Sequence, residues 1–169
     1  MANMIPISTV TVGSGGSSSI TFNNIPQIYT DLHLLISPRL NNGAIAANCS
    51  VTINGSTSNF NSINLQADGT NVYSGVRTDN LNFITPPASY ATSNTFGNGS
   101  IYISNYTSSN NKTISVDDVG ETNGTEIYNS IRGFVYSSTA PISSITITAQ
   151  NSGAFVQYSS ATLYGIRKY

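Results

Sequence analysis

SSATLYGIRKY, residues 159–169, has the two-residue period of a β-strand. Its two faces would carry Ala161, Leu163 and Gly165 on one side and Thr162, Tyr164 and Ile166 on the other. Because apolar residues occur on both faces, we expect this strand to lie inside a sheet. Gly165 would let a neighbouring group approach closely. Arg167, Lys168 and Tyr169 are left as candidates for contact with a neighbouring subunit.

Six further segments alternate in the same way. They are SSITF (18–22), DLHLLIS (31–37), CSVTIN (49–54), GSIYIS (99–104), KTISVD (112–117) and SITIT (144–148). Turns rich in Gly, Asn and Ser separate them, and no window of a dozen residues has a helical period. The sequence therefore predicts an all-β fold: an antiparallel two-sheet β-sandwich, jelly-roll-like, with about eight to ten strands and almost no helix.

Two stretches break this pattern. Pro86 and Pro87 follow NLNFIT, so the segment from Asn80 to Phe96 is predicted to contain an edge strand and then a long crossing loop. GSGGSSS (13–19) is predicted to be a hairpin between two strands of one domain; alternatively, it is a linker that frees residues 1–12 as an arm pairing with a neighbouring chain. Residues 1–19 are thus a possible N-terminal arm or hairpin.

The composition limits the possible partners. Charged residues make up only 8% of the 169 residues, the net charge is −1, and the six Lys and Arg are scattered along the chain, with only Arg167 and Lys168 adjacent. This charge distribution argues against binding to nucleic acid or an anionic membrane. No apolar run reaches the length of a membrane span, and the N-terminus has no signal-peptide pattern. We expect one domain covering residues 1–169, with the whole chain as the mature protein.

Nothing in the sequence forms a convincing catalytic or cofactor motif. His33 is the only histidine and has Asp31 two residues before it on the same strand face, but a chain so rich in serine always offers a serine nearby. There is no GxSxG turn. We expect no enzyme activity and no cofactor. Cys49 is alone, and we expect it to be a half-buried strand residue beside Val51 and Ile53.

An acidic stretch, VDDVGETNGTE (116–126), is the weak candidate for a metal site. It contains Asp117, Asp118, Glu121 and Glu126, and carboxylates in a loop with Gly and Asn are typical calcium ligands. The spacing matches no EF-hand loop, and solvated turn residues are the more common explanation. The prediction is therefore no metal, with Asp117, Asp118 and Glu121 retained as calcium candidates.

Tyrosine is abundant, with ten residues in a chain that has no Trp. Tyr is enriched at protein interfaces and on sugar-binding surfaces because it combines a large apolar ring with a polar hydroxyl. With few charges and many Asn, Ser and Thr, the surface suits neutral partners. Those partners would be other protein subunits or carbohydrate, and such a surface does little to repel copies of itself.

Five segments, in order and spacing, resemble a widespread family of tailed-bacteriophage virion proteins. They are SSSITFNNIPQIYTDLHLLISPR (17–39), LQADGTN (65–71), NTFGNGSIYISNYTSSNNKTIS (94–115), SSTAPISSITIT (137–148) and SSATLYGIRKY (159–169). The last segment contains the ATLYGI pattern with which members of that family end. Two departures are Asn105, where an acidic residue is common, and the loop VDDVGETNGTEIYN.

The resemblance implies a non-enzymatic structural virion protein with a β-sandwich fold, and it does not fix the location in the particle. We expect the protein on the outer surface of the phage particle. We expect a capsid cement or decoration protein that stabilises the assembled shell, with copies of itself and the major capsid protein as partners. A trimer is the preferred oligomer, because cement proteins commonly sit at local threefold positions. The alternative is a tail or head-fibre module that binds a receptor or host-surface carbohydrate.

Overall fold

The computed structural model describes residues 3–78, 82–124 and 127–167. Four residues named above, Asn80, Glu126, Lys168 and Tyr169, lie outside this description. The described residues form eleven strands: β1 Asn3–Thr11, β2 Ser19–Phe22, β3 Asp31–Ser37, β4 Cys49–Ile53, β5 Phe60–Ala67, β6 Val72–Arg77, β7 Asn98–Ile103, β8 Lys112–Glu121, β9 Ile127–Tyr136, β10 Ile145–Ala149 and β11 Ser160–Arg167. They contain no helix, and so no helix that could cross a membrane.

The strands form two antiparallel sheets of unequal size. The larger has eight strands in the order β1-β11-β3-β7-β8-β9-β5-β6, and the smaller has three in the order β2-β10-β4. All nine strand pairings are antiparallel. The predicted all-β, two-sheet fold is confirmed, although the eleven strands exceed the expected eight to ten.

One hydrophobic core contains buried side chains of both sheets. Leu32, Leu34 and Ile36 point inward from β3, and Ile145 and Ile147 point inward from β10; each is at most 3% exposed. Cys49 is completely buried rather than half-buried as expected, and burial raises the pKa of its thiol. It belongs to the same core as the β3 residues.

Strand β11 lies between β1 and β3, in agreement with the prediction from its two apolar faces. Ala161, Leu163 and Gly165 form its buried face. The ring of Tyr29 packs directly over Gly165, and a Cβ at this position would be 2.3 Å from two ring atoms. Only glycine fits beneath that ring. The Arg167 guanidinium in turn lies 5.6 Å from the centre of the same ring.

Two sequence predictions about irregular segments need correction. β1 pairs with β11 of the same chain whereas β2 belongs to the small sheet, so residues 12–18 connect the two sheets and form no hairpin. Residues 82–96 contain no strand, only isolated bridges such as Cys49 with Ile84 and Ala46 with Pro87. Pro86 and Pro87 lack the N–H groups that a regular ladder needs, so this segment follows the edge of β4 without becoming a strand.

Three of the six basic residues are buried rather than exposed. The Arg39 guanidinium donates to the carbonyls of Ala91, Thr92 and Thr95 at 2.7–3.1 Å. The Lys112 ammonium group donates to the carbonyls of Ser108, Ser138 and Ala140 at 2.7–3.0 Å. These two side chains hold loops at opposite ends of the large sheet by satisfying backbone carbonyls that strand pairing leaves open. The third, Arg132, is part of the site described next.

Candidate functional site

One register row crosses all eight strands on the outer face of the large sheet. From β1 to β6 it consists of Pro6, Tyr164, His33, Tyr102, Ser115, Gly133, Ile63 and Val76. The side chains in the middle of the row are aromatic or polar, and those at the β6 end are aliphatic. The outer face therefore has a polar half and an apolar half.

His33 lies in the polar half. Its Nε2 is 2.7 Å from the Ser100 Oγ, and its ring meets that of Tyr102 edge-on at a centroid distance of 5.9 Å. Burial lowers the pKa of the imidazole from its ordinary value. The Asp31 carboxylate accepts hydrogen bonds from the Tyr102 hydroxyl and the Asn105 N–H. The nearby serine that sequence reasoning could not distinguish from chance is thus Ser100.

The apolar half comprises seven outward-pointing aliphatic side chains, here called the apolar face. They are Ile63 and Leu65 on β5, Val72 and Val76 on β6, and Ile127, Ile131 and Val135 on β9, with exposed fractions of 38–78%. They account for half of the large hydrophobic side chains exposed among the described residues. Asp117, opposite Ile131 on β8, is at the border of this face.

Strand β5 has the reverse of the usual sheet polarity. Its outward residues include Ile63 and Leu65, whereas its inward residues after Phe60 are Ser62, Asn64 and Gln66. The inward side of β5 and β6 borders an open groove of about 540 Å³. Five of its lining side chains, Asn48, Asn64, Gln66, Tyr73 and Asn82, define what we call the amide groove. The apolar face and the amide groove thus lie on opposite sides of β5, whereas on β6 Val76 belongs to both.

A buried ion pair lies beneath the amide groove. Arg132 on β9 and Asp118 on β8 form it with side chains only 4% and 6% exposed. The Asp118 carboxylate also accepts hydrogen bonds from the Ser130 hydroxyl and, at 2.9 Å, the Thr85 N–H. Burial raises the pKa of this carboxyl, and the neighbouring guanidinium and hydrogen-bond donors oppose that rise. The sequence offered no indication that Asp118 and Arg132 are partners.

The side chains of the three calcium candidates point to different parts of the structure. Asp117 is exposed on the outer face, and Asp118, the next residue, points inward to Arg132. Glu121 accepts hydrogen bonds from the Thr92 N–H at 3.0 Å and the Thr92 hydroxyl at 2.6 Å. These contacts lower the pKa of the Glu121 carboxyl. Within residues 3–78, 82–124 and 127–167, no three His, Cys, Asp or Glu side chains form a group that could hold a metal ion.

A second open cleft, of about 400 Å³, lies between the β5–β6 turn and the loop after β8. Asp68, Asn71 and Tyr128 are among its lining residues. The Asp68 carboxylate accepts the N–H groups of Thr70 and Asn71 at 3.0 and 2.7 Å, and these bonds lower its pKa. Asp68 is therefore engaged in shaping the turn.

Comparisons with known proteins reveal only distant similarity. No family model and no curated protein matches the chain. Among solved structures, the CBM2 module of an evolved Dit of Lactobacillus casei BL23 phage J-1 is 10% identical with a TM-score of 0.28, over 89% of this chain and 70% of that one. A Schwanniomyces occidentalis fructofuranosidase complexed with fructosylnystose is 8% identical with a TM-score of 0.27, and the alignment covers 98% of this chain but only 34% of the enzyme.

A third similar structure is an alginate lyase from Alteromonas sp. 272, at 9% identity and a TM-score of 0.18, with 99% of this chain and 75% of the lyase covered. All three TM-scores are too low to indicate a shared fold. Neither fold nor function is transferred from these structures.

Proposed function

We propose that this chain is a non-enzymatic structural protein of a tailed-phage particle, acting as a capsid cement or decoration protein on the outer surface. The family assignment is supported by the five sequence segments that resemble phage virion proteins. The mode of action is supported by one structural observation, the apolar face. In this proposal copies of the chain associate through that face, and the oligomer binds the major capsid protein and stabilises the assembled shell by mass action.

The energetics favour burial of the apolar face. Its seven side chains are on average about half exposed, and full burial of an aliphatic side chain contributes about 1.5–3 kcal/mol. Covering the face would therefore contribute roughly 5–10 kcal/mol. That is comparable to the roughly 4–15 kcal/mol lost in translational and rotational freedom on association. A partner that also forms hydrogen bonds with the polar residues around the apolar face would make the net free energy of association favourable.

The dimensions of the face fit the centre of an interface. Three strands about 4.8 Å apart and eight residues long at about 3.3 Å each cover about 14 by 26 Å, or roughly 370 Å². A standard interface buries about 800 Å² per partner. The remaining area would come from the polar half, where Thr113, Ser115 and Asp117 on β8 adjoin β9 in register. An apolar centre with a polar rim is the usual arrangement of protein interfaces.

We infer that the occupant is another copy of the chain, and that the assembly is a trimer. Around a threefold axis each copy contacts its two neighbours through different parts of its surface, so the apolar face would be divided between them. The trimer is preferred because cement proteins commonly sit at local threefold positions, and a dimer built on one self-complementary face would contradict it. The low charge of the face also favours self-association, because like-charged groups do not oppose one another across it.

The proposal that the protein is not an enzyme has its own support. The hydrogen bond between His33 and Ser100 lies on the outer face of the large sheet, in strands that have a neighbour on both sides. The backbone N–H groups of such strands are used in the ladder, so none is free to stabilise an oxyanion beside Ser100. The contact therefore suits a structural role better than a catalytic one.

The self-association is tested by measuring molar mass with light scattering. We expect about three times the 17.8 kDa chain mass. Ile63→Lys and Ile131→Lys should shift the mass to that of the monomer because each would bury an ammonium group in the interface. Ile28→Lys, a control at a residue 62% exposed outside the apolar face, should leave it unchanged. A monomeric native protein, or variants that associate normally, would refute the proposed interface.

The location in the particle is tested by counting copies per purified virion on a quantitative gel. A cement protein should be present in hundreds of copies, because it covers the whole shell. A count in the tens or fewer would instead indicate a tail or fibre component and would contradict the cement role. This measurement is independent of the oligomer found in solution.

A further inference from the structure

The amide groove has no charged side chain among the five residues that define it. Asn48, Asn64, Gln66 and Asn82 contribute amides and Tyr73 contributes an aromatic ring that is 49% exposed. The volume of about 540 Å³ is within the range of about 300–1,000 Å³ typical of small-molecule sites. The polar side of β5 borders an open groove and not the core, so these amides are available to a ligand.

The buried ion pair orients two of these amides. Arg132 Nη2 donates to Gln66 Oε1 at 3.4 Å and to Thr85 Oγ1 at 2.9 Å. The Thr85 hydroxyl then donates to Asn48 Oδ1 at 3.1 Å. A guanidinium can only donate, so the Gln66 oxygen is turned toward Arg132. The Asn48 oxygen is turned toward the Thr85 hydroxyl, which donates to it. The NH₂ groups of both amides are thereby fixed as well, and within the described part of the chain neither makes a hydrogen bond.

The other groups of the groove are arranged around these donors. Asn64 makes no side-chain hydrogen bond within the described residues, and its Oδ1 faces Gly75, where an added Cβ would be 3.2 Å away. The Tyr73 hydroxyl donates to Asp68 Oδ2 at 3.2 Å, which holds the ring at the groove. The groove therefore offers preorganised donors, an unengaged amide and a partly exposed aromatic surface.

We propose that the amide groove binds a neutral saccharide built from hexose or N-acetylhexosamine units. Sugar hydroxyls both donate and accept hydrogen bonds, as side-chain amides do, and the apolar face of a pyranose ring packs on tyrosine. None of the described lining residues is charged, which matches a ligand without phosphate, sulfate or carboxylate groups. An extended peptide is the competing ligand, because β6 is the last strand of the large sheet and its outer edge is a place for strand pairing. The side-chain amides and the Tyr73 ring match a saccharide better, and the printed peptides test the alternative.

Saccharide binding and the proposed trimer are separable by experiment. On β5 the groove is on the inward side and the apolar face on the outward side, whereas on β6 Val76 borders both. The Ile131→Lys variant, designed to separate the subunits, lies outside the groove and should retain binding. Its apparent affinity on a surface should fall only through lost multivalency.

The test is binding of the purified protein to a printed array of neutral oligosaccharides composed of hexoses, 6-deoxyhexoses and N-acetylhexosamines, with extended peptides printed beside them. Tyr73→Ala should weaken the best signal at least about tenfold, because it removes both the ring and the hydroxyl. Asn64→Ala should weaken it about two- to tenfold. Tyr90→Ala is the matched control at a tyrosine 62% exposed outside the groove, and it should bind normally.

Thermal melts of all variants should match the native protein, because neither Tyr73 nor Asn64 is buried. The absence of any saccharide signal from the folded native protein would overturn the proposal. So would a signal that Tyr73→Ala and Asn64→Ala leave intact, or binding to the printed peptides alone.

Discussion

Leu65 and Gln66 are adjacent on β5, yet their side chains serve opposite surfaces. Leu65 is 52% exposed on the apolar face, while the Gln66 oxygen accepts a hydrogen bond from the buried Arg132 at 3.4 Å. Strand β5 thus separates the surface proposed to bind another copy of the chain from the groove proposed to bind a sugar. On β6 the two surfaces meet at Val76.

The contact between Tyr29 and Gly165 is the first to test. Gly165→Ala should destabilise the fold by about 1–3 kcal/mol, because the new methyl group would overlap the ring. Urea unfolding measures the change in free energy. Gly13→Ala is the control, since nothing lies within 4 Å of a Cβ there. In a Tyr29→Ala background the effect of Gly165→Ala should largely disappear, and an undiminished effect would contradict this explanation.

Removing one member of the ion pair between Asp118 and Arg132 should destabilise the fold, whereas replacing both members with apolar residues should be tolerated. Asp118→Asn leaves a buried guanidinium without its counter-charge and should cost about 3–5 kcal/mol in unfolding free energy. The double variant Asp118→Leu with Arg132→Met should recover most of that loss, because no buried charge remains. A double variant less stable than Asp118→Asn would refute this. The recovered protein should still bind saccharide poorly, since Gln66 and Asn48 lose their orientation.

Lys112 should hold the loops at residues 104–111 and 137–144. Lys112→Met removes three hydrogen bonds from a charged donor, and we expect a loss of about 1.5–3 kcal/mol in unfolding free energy. Amide hydrogen exchange should accelerate in these two loops more than in β3. Ser115→Ala, an exposed change on the same strand, should stay within about 0.5 kcal/mol. Uniform acceleration throughout the protein would count against a local role.

His33 should make the fold less stable as the pH falls from about 7 to 5. Burial lowers the pKa of His33 in the folded state. As the pH falls through the ordinary pKa of 6.5, the unfolded chain therefore binds a proton more readily than the folded chain does. The stability that this residue confers is thus present above that pKa and lost below it. His33→Gln should remove this slope from urea midpoints measured at pH 7.5 and 5.5. Because it is the only histidine, equal slopes in both proteins would exclude it as the cause.

The two-residue period in the sequence was sufficient to identify seven of the strands and the fold class. Strands β2, β3, β4 and β11 lie within the segments that alternate most clearly. Strands β7, β8 and β10 overlap such segments, and β8 extends four residues beyond its segment, to Glu121. The abundance of asparagine was also informative about turns. Eight asparagines have a positive φ, a conformation that Asn tolerates better than most residues. Local backbone preference and alternation are properties of short segments, so they can be read without knowing the packing.

The tertiary structure alone decided which face of each strand is buried. Strands β1, β5, β6 and β9 were not identified, and in β5 the alternation is present but inverted, with Ile63 outward and Asn64 inward. Alternation defines two faces, but only the position of the small sheet determines which one meets the core. The burial of charged residues also depends on the tertiary structure. The sequence alone would place Arg39, Lys112 and Arg132 on the surface, but the fold buries them beside backbone carbonyls and Asp118 that are distant in sequence. The apolar face and the amide groove both follow from this long-range packing.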